Sequence, residues 1–347
     1  MDFSKELALR VGRAQAAVES AGLDALYVTA PANVMYLTGR EAGRVLLTKN
    51  RGFLWVRELY RGVYADLYGL KGYPLEVRTY SRDELSKQVE SLGCRSIGIE
   101  DVSVSYCNRM RKSFGCRLKP TEIVEQQRAV KSGHEIRALR RSASIAVKGM
   151  KKAYEVVRKG VRELDAAAEI EYEIRMGGSE TPPFQHGMLL SSGPRAADVH
   201  AHATGARIGD GLVIADLGAR FQGYYSDMTR TIAAGRLRKT ERELMESVRR
   251  LEVEAVDYIK PGMTGAEVHD FIESRIKAAG FSFHHSAGHG IGLEVHERPK
   301  LGPESDDVLA EGMVFTVEPG IYIPKKMGVR FEDMVLLTKK GCRQLTG

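Results

Sequence analysis

The sequence is poor in cysteine: four residues in 347, at Cys94, Cys107, Cys116 and Cys342. None stands in a C-x-x-C pair, which argues against a thiolate metal centre. Their wide scatter fits reduced thiols in a cytosol better than a disulfide framework. No apolar run approaches the length of a membrane-spanning helix. The first residues, Met1-Asp2-Phe3-Ser4-Lys5-Glu6, are partly acidic and lack an apolar stretch, which argues against a secretory signal. The expectation is a soluble cytoplasmic protein with no membrane partner.

A strong charge of one sign is also missing. Lys and Arg together number 52 against 45 Asp and Glu, a net charge of +7. The densest basic stretch is Arg137, Arg140, Arg141, Lys148, Lys151 and Lys152, whose spacing is that of a helix's outer face. No readable nucleic-acid motif accompanies it, so no nucleic-acid partner is expected. What is present is ordinary for a globular chain: 43% apolar and 28% charged residues. That is enough for a sizeable core in two domains or one large one.

The first third alternates helix and strand patterns. Leu7, Val11, Ala14, Val18 and Ala21 mark a helix over residues 5–21, closed by Gly22. Leu23–Thr29 reads as a buried strand, and Pro31-Ala32-Asn33 as a break before Met35–Leu37. Val45–Leu47 and Phe53–Val56 form a strand pair around Lys49-Asn50-Arg51-Gly52, and Ser96–Glu100 is a further strand. These make an α/β domain, residues 1–120. A long amphipathic helix follows, with Ile136, Leu139, Ala143, Ala146, Val147, Met150, Tyr154 and Val157 in one stripe and Gly160 after it. The remainder, residues 121–347, carries a faint repeat. At an offset of 102, Gly160, Ile170, Glu171, Ile174 and Gly178 meet Gly262, Ile272, Glu273, Ile276 and Gly280. Leu244, Val248, Leu251, Ala255 and Ile259 stripe the matching helix, and Thr264 with Glu267 predicts a capping box. Two related α+β halves are the expectation.

The chemistry lies in the second domain. In Leu212–Ala219 a single carboxylate, Asp216, is set among apolar residues, which is costly without a cation or hydrogen bonds. A hairpin turning at Phe221-Gln222 places Asp216 opposite Asp227, with Cβ atoms ~5 Å apart. Carboxylates that close repel unless a metal joins them. A second hairpin, centred on Lys325, sets Glu318 opposite Glu332. His289 stands between glycines in Gly288-His289-Gly290, where backbone and ligand can approach closely. Taken singly, a buried aspartate is most often a hydrogen-bonded structural residue, and a Gly-flanked histidine a turn residue. Together, one imidazole and four carboxylates suit hard or borderline divalent ions such as manganese, cobalt or iron. Two such ions sharing carboxylates can activate a water between them.

In this order the residues resemble the pita-bread metallopeptidases, which include methionine aminopeptidase, Xaa-Pro aminopeptidase, Xaa-Pro dipeptidase and creatinase. The strings that carry the resemblance are Asp216-Leu217-Gly218-Ala219, Ser226-Asp227-Met228-Thr229-Arg230-Thr231, His289-Gly290-Ile291-Gly292-Leu293, Val317-Glu318-Pro319-Gly320-Ile321-Tyr322 and Val329-Arg330-Phe331-Glu332-Asp333. Gly22–Leu26, Asn33–Gly39 and the linker Arg128–Ser132 with Glu135-Ile136 resemble the creatinase-type N-terminal domain. Residues 57–92 match least.

The resemblance implies an α/β N-terminal domain and a pita-bread catalytic domain with pseudo-two-fold symmetry. It implies two divalent ions, Mn2+ or Co2+, held by Asp216, Asp227, His289, Glu318 and Glu332. It implies that Glu318 also acts as general base and then acid, and that His200 and His296 orient the scissile carbonyl. It further implies a proline-containing dipeptide or short peptide as substrate, cut before proline, and a homodimer. Arg330 either braces a ligand carboxylate or forms a plain salt bridge, and Asp333 is structural. Tyr224, Tyr225 and Tyr322 either line a proline pocket or pack the core. Two departures stand out. The family's Leu-Pro-His-Gly is here Asp198-Val199-His200-Ala201, with His202 as an alternative to His200. Where some dipeptidases carry an arginine for the substrate carboxylate, this chain has Lys300, which lacks the bidentate fork. Rival readings are an aminopeptidase acting on longer Xaa-Pro peptides, a metal-free binding protein on the same fold, and a creatinase-like enzyme working without metal.

Overall fold

The computed structural model describes residues 3–347. The chain divides into a first unit ending at Arg128 and a second running Ala129–Gly347. The first unit holds a six-stranded sheet of β1 (Ala25–Val28), β2 (Arg44–Leu47), β3 (Gly52–Val56), β4 (Glu76–Thr79), β5 (Ser96–Ile99) and β6 (Arg117–Pro120), in the order β4-β3-β2-β1-β5-β6. The tight turn between β2 and β3 makes them antiparallel, as the expected strand pair requires, and the ladder reaches Leu47 opposite Gly52. The helices Arg82–Ser91 and Val104–Phe114 cross over to the parallel strands β5 and β6. Tyr27, Leu46, Phe53, Trp55, Ile97, Met110 and Phe114 pack one face of this sheet.

Helix α1 (Phe3–Ser20) ends before Gly22, whose φ of 61° is the left-handed conformation a helix stop uses. Pro31-Ala32-Asn33 does not break the chain. Pro31 opens helix α2 (Pro31–Thr38), because a first-turn residue needs no N–H. The residue before it, Ala30, has no side chain to cap the helix. The buried Glu100 takes that role, accepting Thr29 N, Ala30 N and Asn33 Nδ2, each at 2.7 Å.

The second unit contains α3 (Gly133–Val156), α4 (Glu163–Met176), α5 (Lys239–Tyr258) and α6 (Gly265–Ala278). The expected capping box of Thr264 and Glu267 is present, and Ser132 with Glu135 forms another. The repeat is visible at the level of elements: both bounds of α4 and the last residue of α3 recur 102 residues later as those of α6 and α5. Loops repeat too. Gly160 N donates to Ile208 O and Gly262 N to Leu309 O, both at 2.8 Å.

Each helix pair covers its own sheet. β7 (Leu189–Ser192), β8 (Gly211–Phe221) and β9 (Tyr224–Ala234) form one sheet, packed on α3 and α4 through Ile145, Met150, Ile170, Ile174, Val213 and Leu217. β10 (Gly288–Gly290), β11 (Glu297–Leu301), β12 (Val314–Val317), β15 (Asp333–Thr338) and β16 (Gly341–Gln344) form another, in the order β11-β10-β12-β15-β16; β13 (Gly320–Ile323) and β14 (Met327–Arg330) pair as a separate ribbon. Val248, Leu251, Ile272, Phe315, Val329 and Val335 join α5 and α6 to these strands. Among the described residues no helix is long and apolar enough to cross a membrane.

One buried carboxyl in this layer has a measurable consequence. Glu252 on α5 accepts Gln344 Nε2 at 3.3 Å, and burial together with the nearby Asp333 pushes its pKa up to about 7. An acid raised on folding binds more protons in the native state, so its stabilising effect is present at low pH and fades as pH rises from the unfolded value through about 7. Glu252→Gln is expected to raise the melting temperature by several degrees at pH 8.5 and by far less at pH 5. Thermal unfolding of both proteins at the two pH values checks this, and a gain that does not grow with pH contradicts it.

Candidate metal centre

Two hairpins position the acidic side chains. The turn between β8 and β9 is Gln222-Gly223, with φ of 50° and 82°, a two-residue turn of the kind that matches strand twist. The ladder is therefore centred one residue later than expected. Asp216 faces Thr229 and Asp227 faces Gly218, so the two aspartates are not directly opposed. The slip moves the pairing by two positions, which keeps both side chains on one face. They become diagonal neighbours rather than a facing pair, at a typical spacing of about 7–8 Å.

The second hairpin is centred on Lys325 as expected, with Gly320 opposite Arg330. The same register reappears where Val317 meets Asp333. Glu318 and Glu332 fall in the gap between these two ladders. There the Glu318 N–H donates to Ala287 O at 2.9 Å, while Glu332 bridges to Thr229 on β9. Thr229 thus stands between Asp216 and Glu332, and its hydroxyl donates to Glu332 Oε2 at 2.7 Å.

His289 enters from β10, its N–H held by Thr316 Oγ1 at 3.1 Å. A Cβ at Gly290 would overlap the Arg298 carbonyl, and one at Gly288 the Thr316 carbonyl, so neighbouring chain closes tightly around this histidine. His289 Nε2 lies 3.8 Å from Asp227 Oδ2 and 3.7 Å from Glu318 Oε1. Ligand atoms of Asp227, His289 and Glu332 fall within 4.8 Å of one another.

The electrostatics of this cluster are unfavourable for protein alone. Burial, then the charges of Glu332, Asp216 and Glu318, pushes the Asp227 carboxyl well above the ordinary range. Glu332 is raised in the same way, by burial and then by Glu318 and Asp216. Glu318 is pushed up to about 7 by burial, with the Arg330 charge opposing the shift. Burial and the nearby His296 hold His289 down, at about 3. Asp216 Oδ1 and Asp227 Oδ1 are buried and accept no hydrogen bond from the protein. Buried carboxylate oxygens without partners are costly. Divalent cations fit this donor set: they would coordinate the orphaned oxygens and the neutral imidazole and offset the carboxylate repulsion.

Arg330 is buried beside the carboxylates and donates Nη2 to Asp216 Oδ2 at 2.6 Å, Nε to Thr229 Oγ1 at 3.1 Å and Nη1 to Tyr322 OH at 2.9 Å. The expected salt bridge is therefore present, and its partner is Asp216, one of the expected ligand carboxylates. Asp333 is engaged in the fold by Arg230 Nη2 at 2.7 Å and Thr346 Oγ1 at 2.7 Å.

The histidines gather on one side. The His296 ring is centred 4.1 Å from that of His289. His285, absent from the sequence-based set, places Nε2 3.0 Å from Tyr322 OH and Nδ1 3.8 Å from Glu318 Oε2. The available signal was its position four residues before His289. Burial holds both the His285 and the His296 imidazole below the ordinary range, with a smaller contribution from His200. His200 and His202 are both exposed, and His202 pairs its backbone with Leu189.

Other expected residues go elsewhere. Tyr224 is buried, with its hydroxyl donating to Glu135 Oε1 at 3.3 Å, so it packs the fold rather than lining this cluster. The Tyr225 hydroxyl accepts Gln185 Nε2 at 2.6 Å. Tyr322 alone of the three joins the acidic centre. Lys300 lies across the ladder from His289 and is exposed.

Comparison with known proteins agrees with this arrangement. A model of metallopeptidase family M24 matches residues 137–339, and one of the creatinase/prolidase N-terminal domain matches residues 10–130. The chain is 37% identical to a Xaa-Pro dipeptidase of Pyrococcus horikoshii over 333 residues, 93% of each protein. The structure of a Xaa-Pro dipeptidase from Bacillus anthracis matches with a TM-score of 0.91 at 33% identity, covering 98% of this chain and 97% of the other. That of an X-Pro aminopeptidase from Thermotoga maritima matches with a TM-score of 0.86 at 30% identity, covering 97% of each.

Proposed function

The chain belongs to metallopeptidase family M24, and from that premise we propose that it hydrolyses Xaa-Pro dipeptides at the bond before proline. The observation that carries the chemistry is the convergence of Asp227, His289 and Glu332 beside Asp216 and Glu318, with two carboxylate oxygens left without partners. The dipeptide preference is supported by relatives named Xaa-Pro dipeptidase at 36–37% identity.

In this reading Asp216, Asp227, His289, Glu318 and Glu332 hold two divalent ions, and a donor set of four carboxylates and one imidazole favours manganese or cobalt. When bound, such ions supply Lewis acidity and lower the pKa of water. Glu318 takes a proton from the attacking water and delivers it to the proline nitrogen, which has no N–H of its own and leaves only once protonated. His200 and His296 donate to the scissile carbonyl oxygen as negative charge builds there. Arg330 keeps Asp216 aimed at the centre. Lys300 meets the substrate carboxylate as a single point charge. The working form is a cytoplasmic homodimer, for which a molar mass measured in solution is the check.

A second reading, an aminopeptidase on longer Xaa-Pro peptides, is favoured by Lys300 in place of arginine and by the Thermotoga likeness. Manganese-loaded protein should release proline from Ala-Pro at least about tenfold faster, by kcat/KM, than it cleaves Ala-Pro-Ala. The reverse order makes it an aminopeptidase, and no cleavage of either overturns both readings.

A further inference from the structure

Glu163 opens helix α4 and is fully buried. Its carboxylate gathers five donors. Oε1 accepts Ser192 N at 2.9 Å and Ser192 Oγ at 2.7 Å. Oε2 accepts Thr204 N at 3.0 Å, Thr204 Oγ1 at 2.9 Å and Arg195 Nη1. Ser192 and Thr204 bracket the segment that carries His200, so one side chain draws both ends of that loop together. From inside the loop, Arg195 Nη2 donates to His202 O at 2.5 Å. On the far side, Arg330 Nη1 donates to Val199 O at 3.3 Å. Burial alone would raise the Glu163 pKa, but these hydrogen bonds and the Arg195 charge hold it below the ordinary range, so the carboxylate is ionised.

The internal repeat supplies a control. Glu163 N donates to Ala206 O and Leu164 N to Thr204 O, both at 3.0 Å. In the second half Gly265 N donates to Asp307 O at 2.9 Å and Ala266 N to Ser305 O at 3.1 Å. The same frame therefore forms around a glycine, and there the loop is held from within by Asp307, whose carboxylate accepts Lys300 N at 2.7 Å and Arg298 Nη1. What the first half adds is a loop that carries two histidines, His200 and His202, with both of its ends on one carboxylate.

We propose that Glu163 is a positioning residue: it clamps the ends of the Ser192–Thr204 segment and thereby fixes the loop that carries His200. The proposal rests on the hydrolase reading for its activity test and is independent of it for its spectroscopic one. The test is a double-mutant cycle on the manganese-loaded enzyme, with Glu163→Gln, His200→Ala and the pair, using the Xaa-Pro peptide that the wild type cleaves best. Glutamine keeps the shape but loses the charge and part of the acceptor capacity. Glu163→Gln should lower kcat by about 10–30-fold with KM changed less than about threefold, since a small misplacement of a catalytic group costs about that much. In the His200→Ala background the same change should cost less than about twofold. Glu163→Asp should recover part of the rate, and bound metal should stay at the wild-type level.

Equal losses with and without His200, or no loss in either, overturn the proposal. If Glu163→Gln does not fold, Thr204→Val removes one donor and should give the same pattern at about threefold. The second readout is the His200 imidazole NMR signal of zinc-loaded, diamagnetic protein, which should shift or broaden in Glu163→Gln. An unmoved signal overturns the clamp. A moved signal in a protein that cleaves no Xaa-Pro peptide leaves the clamp standing and rejects the hydrolase reading instead.

Discussion

Replacing Asp227 by asparagine is expected to shift the stability of the metal-free and metal-loaded protein in opposite directions while abolishing turnover. Asparagine matches aspartate in shape, so the change is one of charge. Without ions, Asp227 is buried among Glu332, Asp216 and Glu318, and its carboxyl is raised well above the ordinary range. A raised acid stabilises the folded state only at low pH, and its ionised form is a growing liability as pH climbs. At pH 8.5 the metal-free variant should therefore melt several degrees above the wild type, a gain of about 1–3 kcal/mol. With ions present the sign reverses. Stability gained from a ligand grows with its concentration over its dissociation constant, about 2.7 kcal/mol at a hundredfold excess, and the variant forfeits much of that. Turnover should fall on the order of 10³-fold, about 4 kcal/mol of barrier. Paired thermal melts with and without manganese decide it: a variant less stable under both conditions means that Asp227 is an ordinary structural hydrogen-bonding residue.

Arg330→Met should show the opposite asymmetry. Arg330 is buried, pairs with Asp216 at 2.6 Å and donates to Thr229 and Tyr322. In the metal-free protein it is the cation among the carboxylates that Asp216, Glu318 and Glu332 contribute. Removing one partner of a buried pair leaves an uncompensated charge and costs about 3–5 kcal/mol. For a catalytic unit of this size that is a fall of about 10 °C. Ions bound at the same carboxylates replace part of the lost charge, so the loaded variant should lose less than half as much. Its kcat should fall on the order of a hundredfold, because Asp216 and Tyr322 both lose the group that orients them. Equal destabilisation with and without metal would show that Arg330 acts through packing alone.

These effects depend on geometry that the sequence disclosed only in part. Helices and strands follow local periodicity, so the repeat visible at Gly160 and Gly262 anticipated duplicated helix pairs, which the structure shows as α3–α4 and α5–α6. Lys325 as the centre of the second hairpin was legible because the apolar runs on either side are symmetric about it. The β8–β9 turn was not, since Phe221-Gln222 and Gln222-Gly223 differ by one residue and only the left-handed preference of Gly223 separates them. Pro31 shows the same ambiguity, because proline marks either a break or a helix start. His285 was missed because its partners, Tyr322 and Glu318, lie more than thirty positions away in the chain and are brought to it by β12 and β13. Glu163 was invisible for a related reason: its donors come from both ends of a loop, and nothing local to helix α4 announces them. For Tyr224 both a pocket role and a core role stayed open, because alternation along β9 tells which residues share a face but not what lies across from that face; its hydroxyl meets Glu135.

The most direct test of the central claim is a metal titration of stripped protein, following bound ion and Ala-Pro cleavage together. The account predicts no cleavage in the stripped form, and activity that rises with bound manganese or cobalt and levels off at two ions per chain, with Asp227→Asn saturating lower. Cleavage that is undiminished in the stripped protein, or a chain that binds no divalent ion at all, would contradict it.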